Sequence, residues 1–141
     1  LSVVPEVDTD ATLVCTPHHG ELVGMGGPRA NDREQLADQV SDFAADLGHT
    51  LLVKGTHDII SDGETTRINR TGNPGMTVGG TGDVLAGVTA ALLATEEPPA
   101  AAAIAAYVTG RAGDLTADAV GDSLVATDLL DRLPEAMVVD E

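Results

Sequence analysis

Gly72-Asn73-Pro74-Gly75-Met76-Thr77-Val78-Gly79-Gly80-Thr81-Gly82-Asp83 runs without a break into Val84-Leu85-Ala86-Gly87-Val88-Thr89-Ala90-Ala91-Leu92-Leu93. A glycine-dense loop opens abruptly onto a helical pattern. Glycine lets the backbone reach positive φ and lets a ligand approach it closely. The first N–H groups of the helix have no partner of their own, and the positive end of its dipole faces the loop. Together these make an anion site, with phosphate as the natural ligand. Asp83 is the odd member, a carboxylate where a phosphate should sit. It is either a helix-start residue, since aspartate is favoured there, or a group with a chemical task.

Working outward, Thr50-Leu51-Leu52-Val53 is a continuous apolar strand of the kind found inside a parallel sheet, and it ends in Lys54-Gly55. His57-Asp58-Ile59-Ile60-Ser61 and Thr65-Thr66-Arg67-Ile68-Asn69 flank Asp62-Gly63-Glu64, a hairpin pattern. Upstream, 32–47 is an amphipathic helix, with Leu36, Val40, Phe43, Ala44 and Leu47 at three- and four-residue steps. Asn31 is its expected cap, Glu34 the capping partner and Gly48 the stop. Residues 12–15 read as a short buried strand that stops at Thr16-Pro17-His18-His19-Gly20-Glu21. Residues 1–11 read as extended.

After the glycine loop, 83–94 is apolar almost all round, which predicts a buried helix. Alanines dominate 100–119, where Gly110 and Gly113 are expected to permit close helix approach. A turn at 121–124 and a short helix over 125–133 follow, and the tail from Pro134 is expected to be loose. Strand, helix and strand followed by a helical run indicate an α/β fold. The strands are few for an ordinary sheet, so the chain reads as part of a larger one.

The chain has 141 residues and a net charge of −16, from 23 acidic against 7 basic side chains. That charge repels nucleic acid and anionic membrane. Many acids, small side chains and almost no aromatics suggest adaptation to high salt, where screening relieves self-repulsion. Cytoplasm is the expected compartment, because neither a secretory leader pattern nor a membrane-spanning apolar run is present. Cys15 is the single cysteine and reads as a small buried hydrophobe.

Lys54 is the only lysine. It stands at a strand end, where ligands bind in open α/β sheets, and can neutralise phosphate there. His18 and His19 follow another strand end. With Glu21 they do not make a standard zinc arrangement, so no protein-held metal is expected, and one of them suits a polar ligand contact. His49 and His57 have no evident partner. Phosphoryl transfer needs positioning, charge neutralisation and an oriented nucleophile. The glycine loop, Lys54 and Asp83 supply one of each. The common Gly-x-x-x-x-Gly-Lys-Ser/Thr nucleotide loop does not occur.

Asn69-Arg70-Thr71-Gly72-Asn73-Pro74-Gly75-Met76 with Gly79-Gly80-Thr81-Gly82-Asp83-Val84-Leu85-Ala86-Gly87 resembles the signature of the ADP/ATP-dependent NAD(P)H-hydrate dehydratases, of the ribokinase-like superfamily. Thr16–Glu21, Val53-Lys54-Gly55, Ala112-Gly113-Asp114 and Ala126-Thr127-Asp128-Leu129 are similar to further elements of that family, in the same order. Thr109 stands where the family often has histidine, and Thr77-Val78 replaces the more usual Ala-Thr.

The resemblance implies a ribokinase-like three-layer α/β/α sandwich, with residues 1–141 as the C-terminal part of a single domain. It implies nucleotide-driven phosphorylation of the hydroxyl of hydrated NADH or NADPH, then loss of phosphate. ADP or ATP is the implied co-substrate, accompanied by Mg2+. Asp83 would activate the hydroxyl, and the amides of Gly80, Thr81 and Gly82 would hold the anion. Lys54, Gly55, Thr56, His57, Asp58 and Gly82 would line the nucleotide site, and His18 and Asp83 would face the hydrate. The alternatives are a kinase of small alcohols with the same fold, or an inactive nucleotide-binding fragment. A homo-oligomer is compatible with either enzyme.

Overall fold

The computed structural model describes residues 1–138. Four strands form one sheet in the order β1 (Val14–Cys15), β2 (Thr50–Val53), β3 (Asp58–Ser61), β4 (Thr66–Asn69). β1 and β2 are parallel, while β2–β3 and β3–β4 are antiparallel. The sheet is therefore mixed: the hairpin that sequence places after Lys54 turns the chain back along β2. At the hairpin tip Gly63 takes φ +91°, and the Asp62 carboxylate accepts the amides of Glu64 and Thr65 at 3.0 and 2.8 Å.

Successive residues of a strand point to opposite faces, and β2 sorts its side chains accordingly. Leu51 and Val53 pack with Leu22 of α1 (His19–Gly24), with Met25 just beyond it, and with Leu36, Val40 and Ala44 of α2 (Arg33–Leu47). Leu52, with Ile60 of β3, meets Leu85 of α3 (Thr81–Leu92) and Ala102, Ala105 and Ala106 of α4 (Pro98–Val120). Helices on both faces give three layers. α4 lies close to the sheet because its inward side chains are alanines.

Several boundaries differ from the sequence reading. The cap of α2 is Asp32, whose carboxylate accepts the Gln35 amide at 2.9 Å; the helix starts one residue after the position that Asn31 and Glu34 suggest. Gly48 does end it, at φ +71°. Residues Val4–Glu6 form one short helical turn in the stretch expected to be extended. α3 is not buried all round: only Leu85 and Thr89 are, and Ala86, Gly87, Ala90 and Ala91 are exposed. An apolar helix surface needs a neighbouring element to be buried, and none covers this side among the described residues.

The last helix is two: α5 (Ala126–Leu130) and α6 (Leu133–Ala136). The start of the supposed loose tail is thus helical, and Ala136 packs with Val108, Ala112, Leu124 and Leu129. Residues 139–141 of that tail lie outside the described residues.

Candidate functional site

The C-terminal end of β2 and the N-terminal end of α3 face each other. β2 delivers Lys54, which is itself in a parallel bridge with His18. The turn behind it is held by the Gly55 amide, which donates to Asp58 Oδ1 at 3.1 Å. Across from it, Gly80 takes φ +97° and α3 begins at Thr81; the Asp83 and Val84 amides bond the Gly80 carbonyl, and those of Thr81 and Gly82 have no preceding turn to bond. The Thr81 hydroxyl folds back on the carbonyls of Met76 and Val78, at 3.0 and 3.1 Å, and fixes the loop against the helix. A Cβ added at Gly82 would stand 3.4 Å from Lys54 Nζ. The glycine therefore leaves the lysine room beside the helix end.

Between them lies a cavity of about 330 Å3, lined by Lys54, Gly55, Thr56 and Asp58 of the turn, Thr71–Pro74, Met76 and Thr77 of the loop, Thr81, Gly82 and Leu85 of α3, and Ala106, Thr109 and Gly110 of α4. One cationic side chain facing a helix N-terminus suits a phosphate-bearing ligand. Lys54 Nζ rests 3.8 Å from Glu21 Oε2, with both side chains partly exposed, a weak contact that a phosphate can outcompete.

Five of the nucleotide-site residues expected from sequence thus share one cavity: Lys54, Gly55, Thr56, Asp58 and Gly82. His57 does not join them. It faces the other side of the turn, where Arg33 Nη1 lies 3.2 Å from its Nδ1 and His19 is a neighbour. His18 caps α1: its Nδ1 accepts the Glu21 amide at 3.2 Å, and Glu21 Oε2 accepts the His18 amide at 2.9 Å. That bond from the His18 amide holds the Glu21 carboxyl below its usual range. Asp83 is exposed and borders a second, apolar cavity of about 580 Å3 with Val84, Gly87 and Leu130, rather than the first. Gly80 stands at the loop end without lining either cavity.

Other residues shape the site without being assigned from sequence. Asp114 on α4 accepts the Gly72 amide and the Asn73 side-chain amide, both at 2.9 Å, and so clamps the start of the loop. Gly110 and Gly113 were expected to meet another helix; they instead admit this loop. A Cβ at Gly110 would lie 2.7 Å from the Thr71 carbonyl carbon, and one at Gly113 would collide with Met76. Thr109 lines the cavity with a buried hydroxyl that lacks a hydrogen-bond partner. Ala112-Gly113-Asp114 was the available sequence clue, but its partner lay about 40 residues away in the chain. Asp58 is pushed up by burial, against the opposing bonds from Asn69 and Gly55.

No group of three or more His, Cys, Asp or Glu able to hold a metal ion occurs among the described residues. His49, for which sequence offers no partner, has one: its Nδ1 accepts the Leu13 amide at 3.3 Å. Cys15 is buried.

A three-layer α/β sandwich with a glycine loop and helix end facing a strand-end lysine defines the ribokinase-like class of phosphate-binding folds. A Bacillus subtilis ADP/ATP-dependent NAD(P)H-hydrate dehydratase, co-crystallised with ATP and Mg2+, superposes with a TM-score of 0.80 at 30% identity, over 92% of this chain and 48% of its own. Residues 4–135 match the Carb_kinase family model, described as NAD(P)H-hydrate dehydratase, and the chain belongs to that family. The bifunctional NAD(P)H-hydrate repair enzyme Nnr of Pyrobaculum aerophilum is 44% identical over 140 residues, covering 97% of this chain and 28% of that relative. The ADP-dependent (S)-NAD(P)H-hydrate dehydratase of Cenarchaeum symbiosum is 46% identical over 125 residues, covering 86% of this chain and 43% of that relative. The chain therefore spans half or less of the length of these relatives.

Proposed function

We propose that this chain contributes the nucleotide and phosphoryl-handling wall of an enzyme that dehydrates hydrated NADH or NADPH at the expense of ADP or ATP. Residues 1–141 would form the C-terminal part of one domain. The observation that carries the reading is the meeting of Lys54 with the glycine-lined amide end of α3 across one cavity.

Lys54 and the turn to Asp58 hold the nucleotide. The amides of Gly80, Thr81 and Gly82 take the oxygens of the transferred phosphoryl group, where charge develops. Asp83 accepts the proton of the hydrate's hydroxyl as that oxygen attacks the terminal phosphorus and the phosphoanhydride bond breaks to release AMP or ADP, a role that needs the carboxylate close to the bound hydrate. Cleavage of the ring C–O bond with departure of phosphate, and loss of a proton from the neighbouring ring carbon, then restore the dihydronicotinamide. His18 contacts the hydrate from the β1 end. Mg2+, when bound with the nucleotide, supplies neutralisation of phosphate charge. The acidic composition supports a high-salt cytoplasm as the setting.

The test uses the intact protein with hydrated NADH, ADP or ATP, and Mg2+, and follows recovery of NADH absorbance. Recovery with either nucleotide is expected. No recovery with both sinks the reading, and a stable phosphorylated small-alcohol product would point to a kinase instead.

A further inference from the structure

We propose that Asn69, the last residue of β4, is a positioning residue that locks the nucleotide turn at 54–58 to the phosphoryl loop at 71–83. This deepens the nucleotide reading above and rests on it.

A primary amide offers two N–H donors and an oxygen with two lone pairs. Asn69 uses all of them. Its Nδ2 donates to Asp58 Oδ2 at 3.0 Å and to the Ala106 carbonyl at 3.1 Å. Its Oδ1 accepts the Thr71 amide at 3.3 Å and lies 3.0 Å from the Thr71 hydroxyl, whose single proton it shares with the Tyr107 carbonyl. The other oxygen of Asp58 takes the Gly55 amide at 3.1 Å. A continuous path therefore runs from Gly55 through Asp58 and Asn69 to Thr71, with α4 gripped at Ala106. Next along the loop, Asp114 takes over at Gly72 and Asn73.

Fold stability alone does not call for this arrangement. Asp58 and Asn69 are cross-strand partners in the β3–β4 ladder, and the next pair along is Ile59 with Ile68. That apolar pair faces α2, on the opposite side of the sheet from Asn69, which meets α4. A buried polar network is costly unless every member is satisfied, and this one sits at the end of the ladder that meets the cavity. Asn69 itself is 8% exposed. No other side chain of similar size donates and accepts in this pattern: aspartate lacks the donors and leucine lacks both.

The turn and the loop thereby move as one body. Nucleotide held at Lys54 and Gly55 finds the amides of α3 at a set distance, which is what in-line phosphoryl transfer needs.

The experiment replaces Asn69→Asp in the intact protein. The new carboxyl would stand about 3 Å from Asp58; both would be ionised and repel near pH 8, and like charges that close take up a shared proton as pH falls. The titratable groups facing Asp58 are His57 and Lys54. Calorimetric titration with ADP should show binding about tenfold or more weaker than wild type near pH 8, with the gap narrowing as pH falls towards 5.5. The exchange variant Asp58→Asn/Asn69→Asp rebuilds the amide–carboxylate pair in reverse, though not the bond to Ala106, and should recover part of the loss at pH 8. Without nucleotide, the amides of Gly55 and Thr71 should both exchange hydrogen faster in Asn69→Asp.

A gap that is flat with pH, an exchange variant as weak as the single, or unchanged hydrogen exchange overturns the proposal. If wild type binds no adenine nucleotide, the nucleotide reading fails, and the exchange measurement still decides the role of Asn69. If Asn69→Asp does not fold, Thr71→Val removes one bond to Asn69. Faster exchange at Gly55 in that variant supports the coupling, and unchanged exchange overturns it.

Discussion

Gly110→Ala and Gly87→Ala are the same chemical change in the middle of two helices, and they should act with opposite sign. Alanine in a helix interior is favoured over glycine by about 0.8–1.0 kcal/mol. At Gly87 nothing lies within 4 Å of the added Cβ, so that gain is realised. At Gly110 the Cβ would stand 2.7 Å from the Thr71 carbonyl carbon and 2.8 Å from its oxygen, and would also strike the Thr71 hydroxyl. Ordinary carbon contacts need about 3.5 Å, so the loop must retreat by roughly 0.8 Å.

That loop cannot retreat cheaply. Its Thr71 hydroxyl bonds the Tyr107 carbonyl at 3.0 Å, and Asp114 holds Gly72 and Asn73. Overpacking of this sort costs about 1–3 kcal/mol, which exceeds the helix gain and leaves a net loss of about 1 kcal/mol. For a chain of this size, about 1 kcal/mol moves the melting temperature by about 3 °C. Thermal denaturation of the intact protein should therefore show Gly87→Ala up by about 3 °C and Gly110→Ala down by about the same. Displacing Thr71–Asn73 should also weaken ADP binding in Gly110→Ala alone. A Gly110→Ala protein that melts higher than wild type and binds ADP normally would refute the seating of this loop on α4.

Asp83→Asn should abolish turnover of hydrated NADH while leaving the ADP dissociation constant within about threefold, because Asp83 does not line the nucleotide cavity; retained turnover removes it as the base. Burial raises the Asp58 pKa in the folded state, so its contribution to stability is complete below the ordinary aspartate value and is lost as pH rises through the raised one. Melting temperatures across that interval should then favour Asp58→Asn relative to wild type progressively as pH increases, and the opposite slope would contradict the assignment. With a net charge of −16, the melting temperature should climb as NaCl is raised from low to molar concentration, where the Debye length falls to about 3 Å. A protein whose melting temperature is flat or falling in salt is not adapted in this way.

Much of the architecture was legible because its signals are local. β2 is a run of four buried residues, α2 shows a clean helical period ended by Gly48, and Asp62-Gly63-Glu64 turns the hairpin. The anion loop was equally plain, since glycine density before a helix is a property of neighbouring residues. Burial and partnership were not. The sequence of α3 is apolar on every side, and only packing shows that one side is left uncovered. Asn31 and Asp32 are equally good caps, and the helix chose the second. Asp83 and Gly82 are adjacent in sequence yet border different cavities, because consecutive helical residues point about 100° apart.

What the sequence by itself determined was the order of the elements, the placement of Lys54 at a strand end and the amide-rich start of α3. These follow from periodicity, turn chemistry and helix-end electrostatics, which act over a few residues. Only the tertiary structure decided that Gly110 and Gly113 receive the loop rather than a helix, that Asp114 clamps it, and that Asn69 joins it to the nucleotide turn. The contacts of this segment with α4 pair groups 36–42 residues apart, and Asn69 reaches Asp58 across 11. Hydrogen bonds and van der Waals contacts reach only a few ångströms, so which distant residues meet is fixed by how the layers pack.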